Sequence, residues 1–137
     1  MRSRTIRYTI CGLDYVYLEN IPVRQTKHGE VLNIDLEVIE REIASEIVGQ
    51  GIPIRGAEVK LFRKSLGLSM ERFGLLLGLS PPAILQWERD LNKRLHPTNE
   101  VAVRALMAEQ LNIILEGKFT VLKGKAVNPG CLTLRVA

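Results

Sequence analysis

The chain has 137 residues, 46% of them hydrophobic and 25% charged, and a formal net charge of +4. That length suits one domain or two small modules, and the composition is that of a globular protein. No apolar run reaches the ~18 residues of a membrane-spanning helix, and no secretory leader pattern follows Met1-Arg2-Ser3-Arg4, so no membrane contact and a cytoplasmic location are expected.

The positive charge is unevenly spread. Residues 1–54 hold six Lys/Arg against eight Asp/Glu, residues 55–98 eight against four, and residues 99–137 five against three. A basic middle segment suits a phosphate-facing surface. Cys11 and Cys131 stand near opposite ends with no Cys-x-x-Cys spacing. That is no zinc pattern, and each thiol reads as a small apolar filler.

From the start of the chain, Thr5 to Cys11 alternates, with Ile6, Tyr8 and Ile10 on one side, as in a half-buried strand. Gly12-Leu13-Asp14 reads as a turn, Tyr15 to Leu18 as a second strand, and Val23 to Thr26 as a third whose start or edge is marked by Pro22. A turn at Lys27–Glu30 leads into Val31–Ile34. Asp35 then caps a helix that carries Leu36, Ile39, Ile43 and Ile47 at helical spacing and stops at Gly49 and Gly51.

Between Ile54 and Leu106 the phrase Leu-Gly-Leu-Ser occurs twice, at Leu66–Ser69 and Leu77–Ser80. Each serine can cap a helix and each glycine can end one. The pattern predicts helix, tight turn, helix, tight turn, helix. The first helix buries Val59, Phe62 and Leu66; the second, Ser69 to Leu77, buries Phe73, Leu76 and Leu77; the third, from Ser80, buries Ile84 and Trp87. Thr98 is the expected cap of a further helix with Val101, Ala102, Ala105, Leu106 and Ala108 on its apolar side, continued by Gln110–Leu115 and stopped at Gly117. Phe119–Leu122 and Leu132–Val136 read as two strands around Asn128-Pro129-Gly130, either as a hairpin or as additions to the first sheet.

Phe62-Arg63-Lys64-Ser65-Leu66-Gly67-Leu68-Ser69, Phe73, Leu77-Gly78-Leu79-Ser80, Ile84 and Trp87-Glu88 resemble the lambda-repressor-like (Xre-type) helix-turn-helix family. The resemblance implies an all-α DNA-binding domain over residues 53–116. It follows a small β/α module over 1–52 and precedes short C-terminal strands over 117–137, an α+β chain overall. It also implies a transcriptional regulator, a repressor, that binds double-stranded DNA as a homodimer. The departures are Arg55 in place of a small capping residue, Met70 in place of a phosphate-binding glutamine, Pro81-Pro82 at the start of the recognition helix, and Asp90 in place of glycine. More loosely, Gly12-Leu13-Asp14-Tyr15-Val16-Tyr17-Leu18 and Thr26-Lys27-His28-Gly29-Glu30 resemble the N-terminal module of zinc-ribbon/helix-turn-helix bacterial antitoxins, which implies a protein toxin as a partner. The zinc cysteines of that branch are missing, so no metal is carried over.

On this reading the DNA contacts fall to seven residues. Gln86 and Arg89 reach base edges, Ala83 and Leu85 reach thymine methyls, and Arg72, Lys93 and Arg94 hold phosphates. Ile113-Ile114-Leu115 is the first choice for the dimer contact and the N-terminal sheet the second. His28 and His96 lack partners at ligand spacing, and no nucleophile, phosphate-loop or dinucleotide pattern occurs; neither an enzyme nor a cofactor is expected. The competing function is a protein-binding module that keeps the helix-turn-helix as a scaffold, favoured by Met70 and the proline pair.

Overall fold

A computed structural model describes residues 3–115 and 119–136. The elements run β1 (Ser3–Tyr8), a 3-10 turn (Ile10–Gly12), β2 (Val16–Thr26), β3 (Gly29–Leu32), α1 (Leu36–Gly49), α2 (Gly56–Ser65), α3 (Met70–Leu77), α4 (Pro81–Arg89), α5 (Pro97–Gln110), α6 (Phe119–Lys123) and β4 (Leu132–Arg135). The class is α+β, with the sheet at the N-terminus and the helix-turn-helix in the middle.

Strand β2 organises the sheet. It pairs antiparallel with β1 and with β3, and parallel with β4. The two short strands expected at Tyr15–Leu18 and Val23–Thr26 are one strand, which runs through Pro22. Its register against β1 shifts between Arg4 and Ile6, where Asn20 takes a left-handed φ of 59°. The bulge inserts one residue and resets the alternation. Val16 and Leu18 before it, and Ile21 and Val23 after it, are therefore all buried. Strand β1 ends at Tyr8, and Ile10, expected inward, is exposed in the turn that follows.

Asp35 caps α1 as expected, its carboxylate accepting from the Glu37 N–H at 3.0 Å. Ile39, Ile43 and Ile47 are buried, while Leu36 is largely exposed. The buried residues form one continuous cluster from Tyr8 on β1 through α1, α2 and α5 to Leu132 on β4. The segments 1–52, 53–116 and 117–137 thus share a core.

Helix α5 departs most from expectation. Its cap is His96, whose Nδ1 accepts from the Thr98 N–H at 3.3 Å. Its inward face is Glu100, Val103, Arg104 and Met107, whereas Ala102 and Ala105 face solvent. Arg104 is completely buried. Its guanidinium donates to the Glu100 carboxylate at 2.9 Å, the Ile52 carbonyl at 2.8 Å and the Leu122 carbonyl at 2.8 Å. Burial pushes its pKa down and the Glu100 partner pushes it back up. The helix stops at Gln110 because Asn112 adopts a left-handed φ of 56° and Ile113 folds back, donating to the Ala108 carbonyl at 2.8 Å. Ile113 and Leu115 pack on the core, and Ile114 is 97% exposed. The stop expected at Gly117 lies outside the described residues.

Phe119–Lys123, expected as a strand, is the helix α6. A five-residue helix is marginal alone, and its C-terminal carbonyls need donors. Two guanidinium groups supply them. Arg104 reaches the Leu122 carbonyl, and Arg94 reaches the carbonyls of Lys125 and Ala126 just beyond, both at 2.8 Å. No hairpin forms around Asn128-Pro129-Gly130; β4 joins the sheet instead.

Arg104→Ala would leave the Ile52 and Leu122 carbonyls without this donor and remove one partner of a buried carboxylate. A loss of about 3–5 kcal/mol is expected, read as a lowered urea midpoint; an unchanged midpoint would contradict the central role of this side chain.

Candidate nucleic-acid interface

Helices α2, α3 and α4 are formed and capped by short-range signals. Ser69 Oγ accepts from the Arg72 N–H at 3.1 Å and starts α3. Gly78, with a left-handed φ of 74°, ends it and turns the chain into α4. Val59 and Phe62 on α2, Phe73 on α3 and Ile84 on α4 are fully buried and meet in the core. Leu66 and Leu77 are half-buried against it. Leu76, expected inward, is exposed, because Gly74 occupies the inner position. A Cβ at Gly74 would stand 2.6 Å from the Leu79 carbonyl oxygen, so only glycine lets α3 close on the turn after it. Trp87, expected as a core residue beside Ile84, is half-buried, and Glu88 is the buried neighbour.

Glu88 explains how α4 is aimed. Arg63 on α2 grips its carboxylate with two hydrogen bonds, at 2.7 and 2.8 Å, and donates to the Leu68 carbonyl at 3.0 Å. One guanidinium thus joins α2, the turn before α3, and α4. The Glu88 hydrogen bonds raise the Arg63 pKa against the opposing effect of burial. A forked, charge-assisted pair fixes direction as well as distance.

The loop after α4 is fixed from the other side. The Gly56 N–H donates to the Lys93 carbonyl at 3.2 Å, the Ala57 N–H to the Leu91 carbonyl at 3.1 Å, and the Leu95 N–H to the Ile54 carbonyl at 2.9 Å. The first-turn N–H groups of α2 are therefore satisfied by this loop. A Cβ at Gly56 would overlap the carbonyl oxygens of Trp87 and Asp90. Arg55, just before α2, has no small capping side chain. Glu58 compensates by reaching back, accepting from the Arg55 backbone N–H at 2.8 Å and pairing with its guanidinium at 2.8 Å. Tyr15, from the turn before β2, donates to the same carboxylate at 3.0 Å. This ties the sheet to the helix-turn-helix, and burial together with Glu58 raises the Tyr15 phenol pKa.

These anchors sort the basic residues of the middle segment. Arg55, Arg63, Lys64 and Arg94 pair with Glu58, Glu88, Glu40 and Glu100. Lys60, Arg72, Arg89 and Lys93 have no carboxylate partner among the described residues. Gln86, Arg89, Lys93 and Arg94 come together around a cleft of about 730 Å³, with Trp87, His96 and Asn99 completing its wall. Leu85 and Gln86 are exposed, and Ala83 is half-buried. Arg72 is exposed on the first turn of α3, beside Leu68, Leu75 and Leu76 and away from that cleft.

Arg94 differs from its expected role. Its guanidinium pairs with Glu100 at 2.7 Å and donates to the carbonyls of Lys125 and Ala126. Its donors are committed inside the protein, so it serves as a strap for the C-terminal segment. Among the described residues, no group of three or more His, Cys, Asp and Glu could hold a metal ion. Cys11 is buried, which raises its thiol pKa; Cys131 is exposed.

Gly56→Ala should cost at least about 1–3 kcal/mol, the usual range for overpacking, because backbone carbonyls cannot step aside. Gly49→Ala, at a helical position with open space, should be neutral or gain up to about 1 kcal/mol. Equal melting temperatures for the two variants would contradict the close approach of α2 to the end of α4.

No helix among the described residues is long and apolar enough to cross a membrane. Comparison with curated proteins and with solved structures finds no match. Residues 59–108 match the family model described as Helix-turn-helix, a span that runs from the first buried valine of α2 to the last turn of α5. Residues 59–108 therefore form a lambda-repressor-like, Xre-type helix-turn-helix domain, the DNA-binding fold of transcription regulators.

Proposed function

We propose that this chain is a repressor that binds operator DNA sequence-specifically as a homodimer in the cytoplasm, and that it is the antitoxin of a toxin–antitoxin pair. The observation that carries the DNA reading is the division of the basic residues. Those that hold the fold are paired, whereas Arg72, Arg89 and Lys93 stand free on α3, on α4 and on the loop that follows. In this fold α4 is the helix that enters the major groove, and the flanking turns meet the sugar–phosphate backbone. Gln86 and Arg89 lie three apart on its exposed side and carry base readout. Arg72 and Lys93 hold phosphates, and Arg94 is left out of that set because its donors are occupied. Ala83, half-buried beside Ile84, contributes at most the edge of its methyl.

Dimerisation follows from the need to read two half-sites one DNA turn apart. Ile113 and Leu115 pack on the protein's own core, which leaves Ile114 as the exposed part of the first-choice contact. The antitoxin role rests on the N-terminal module, whose Tyr15 is bonded to Glu58 of the DNA-binding domain. The scaffold reading has one observation in its favour, the exposed pair Leu75 and Leu76 on α3.

The two kinds of DNA contact should fail differently. Gln86→Ala should lose about 1–3 kcal/mol on the best site and little on random duplex. Lys93→Ala should weaken all duplexes alike and reduce the salt slope by about one unit per subunit. Gel shifts across a salt series separate these outcomes; equal loss on both duplexes for Gln86→Ala would end its assignment to base readout. Light scattering of the free protein at tens of micromolar should report a dimer, and a monomer mass would argue against the half-site arrangement.

A further inference from the structure

The exposed face of the first half of α4 is apolar. Pro81 and Pro82 occupy its first turn, Leu85 follows one turn later, and all three side chains are exposed. Residues 81 and 85 are stacked at i, i+4 along the helix, and 82 and 85 at i, i+3. Polar readout begins only at Gln86, in the second turn. Resting on the DNA-binding reading above, we propose that Leu85, flanked by Pro81 and Pro82, selects thymine by seating its 5-methyl group in the major groove, so that this protein reads part of its site through methyl contacts.

The chemistry of the groove leaves this surface one suitable base. Thymine alone of the four bases carries a methyl group on the major-groove edge, whereas cytosine presents an N4 amino donor there and guanine and adenine present N7 acceptors. A leucine or proline side chain cannot satisfy those groups, and a polar group desolvated without a partner is penalised. The apolar stripe therefore repels three bases as well as attracting one. Its backbone adds to the effect. Pro81 and Pro82 have no N–H, and the Ala83 N–H is taken by the Ser80 carbonyl at 3.1 Å. The start of this helix thus lacks the free N–H groups a helix N-terminus normally presents. Ser80 is the exception on this turn. Unlike Ser69, it makes no capping bond through its side chain, so its exposed hydroxyl is the single polar group beside the stripe. The occupant is DNA and not another protein because the stripe runs directly into Gln86, Arg89 and Lys93, the polar and cationic end of the same surface.

The test compares thymine with deoxyuridine, which differs from it only by the missing methyl. High-affinity duplexes are first selected from a random library with the full chain. Each thymine in the selected site is then replaced in turn by deoxyuridine, and affinities are measured for the native chain and Leu85→Ala. Removal of a seated methyl should lower the affinity of the native chain about fourfold, the factor that corresponds to about 0.8 kcal/mol per buried methylene-sized group. Leu85→Ala should bind the thymine site about as weakly as the native chain binds the deoxyuridine site, should no longer distinguish the two, and should keep its affinity for random duplex and its melting temperature. Equal affinity for thymine and deoxyuridine at every position, with Gln86→Ala still reducing specificity, would overturn the methyl contact and leave the DNA-binding reading standing. Absence of any enriched duplex, with no retention of DNA at low salt, would overturn both.

Discussion

The buried guanidinium of Arg104 is the constraint on which the arrangement of the chain depends. It is fully enclosed, and an enclosed charge is tolerable only if it is neutralised and hydrogen-bonded. Glu100 supplies the charge, and carbonyls from two distant segments supply the remaining acceptors: Ile52 after α1 and Leu122 in α6. Glu100 in turn holds Arg94, whose other donors close on the carbonyls of residues 125 and 126. One short network therefore joins the N-terminal module, the last helix of the DNA-binding domain and the C-terminal segment. Apolar packing could bring these three together in several registers. The geometric demands of two guanidinium groups select one.

A second forked pair does the corresponding work for the recognition helix. Arg63 and Glu88 set the direction of α4 from α2, while Gly56 lets the end of α4 lie against the start of α2 and its N–H holds the Lys93 carbonyl. The free cations then stand on backbone that is already fixed, which lowers the ordering cost of binding. This is why the paired and unpaired basic residues have different meanings. The formal charge of residues 55–98 counts both kinds, but those locked to carboxylates position the surface, and those left over face solvent.

Local signals made the helix-turn-helix legible in the sequence. The two Leu-Gly-Leu-Ser phrases gave both the Ser69 cap and the Gly78 stop, and the buried Val59, Phe62, Phe73 and Ile84 fell at helical spacing. What was hidden depended on partners far away in the chain. The inward face of α5 carries Glu100 and Arg104, so a search for an apolar stripe selected Ala102 and Ala105, which are exposed. Helix α6 is rich in strand-forming residues and is helical because Arg104 and Arg94 satisfy carbonyls in and just beyond it. The unity of β2 depended on a bulge at Asn20 that no alternation pattern displays. For the candidate interface, Gln86, Arg89 and Lys93 were legible from position alone. Arg94 was not, because its basic character gives no hint of the Glu100 carboxylate six residues on. Asn112 was a readable stop for α5, since asparagine tolerates the left-handed region, and the apolar residues after it drew the reading past it.

The account holds that the chain meets DNA through α4 with the turns on either side of it, while the sheet and α6 face away. Hydrogen–deuterium exchange on the full chain, with and without saturating duplex selected from a random library, tests that most directly. The predicted result is protection confined to residues 69–73 and 80–96, with β1, β2 and α1 unchanged. Protection of the sheet or of α1 with none in α4 would contradict it.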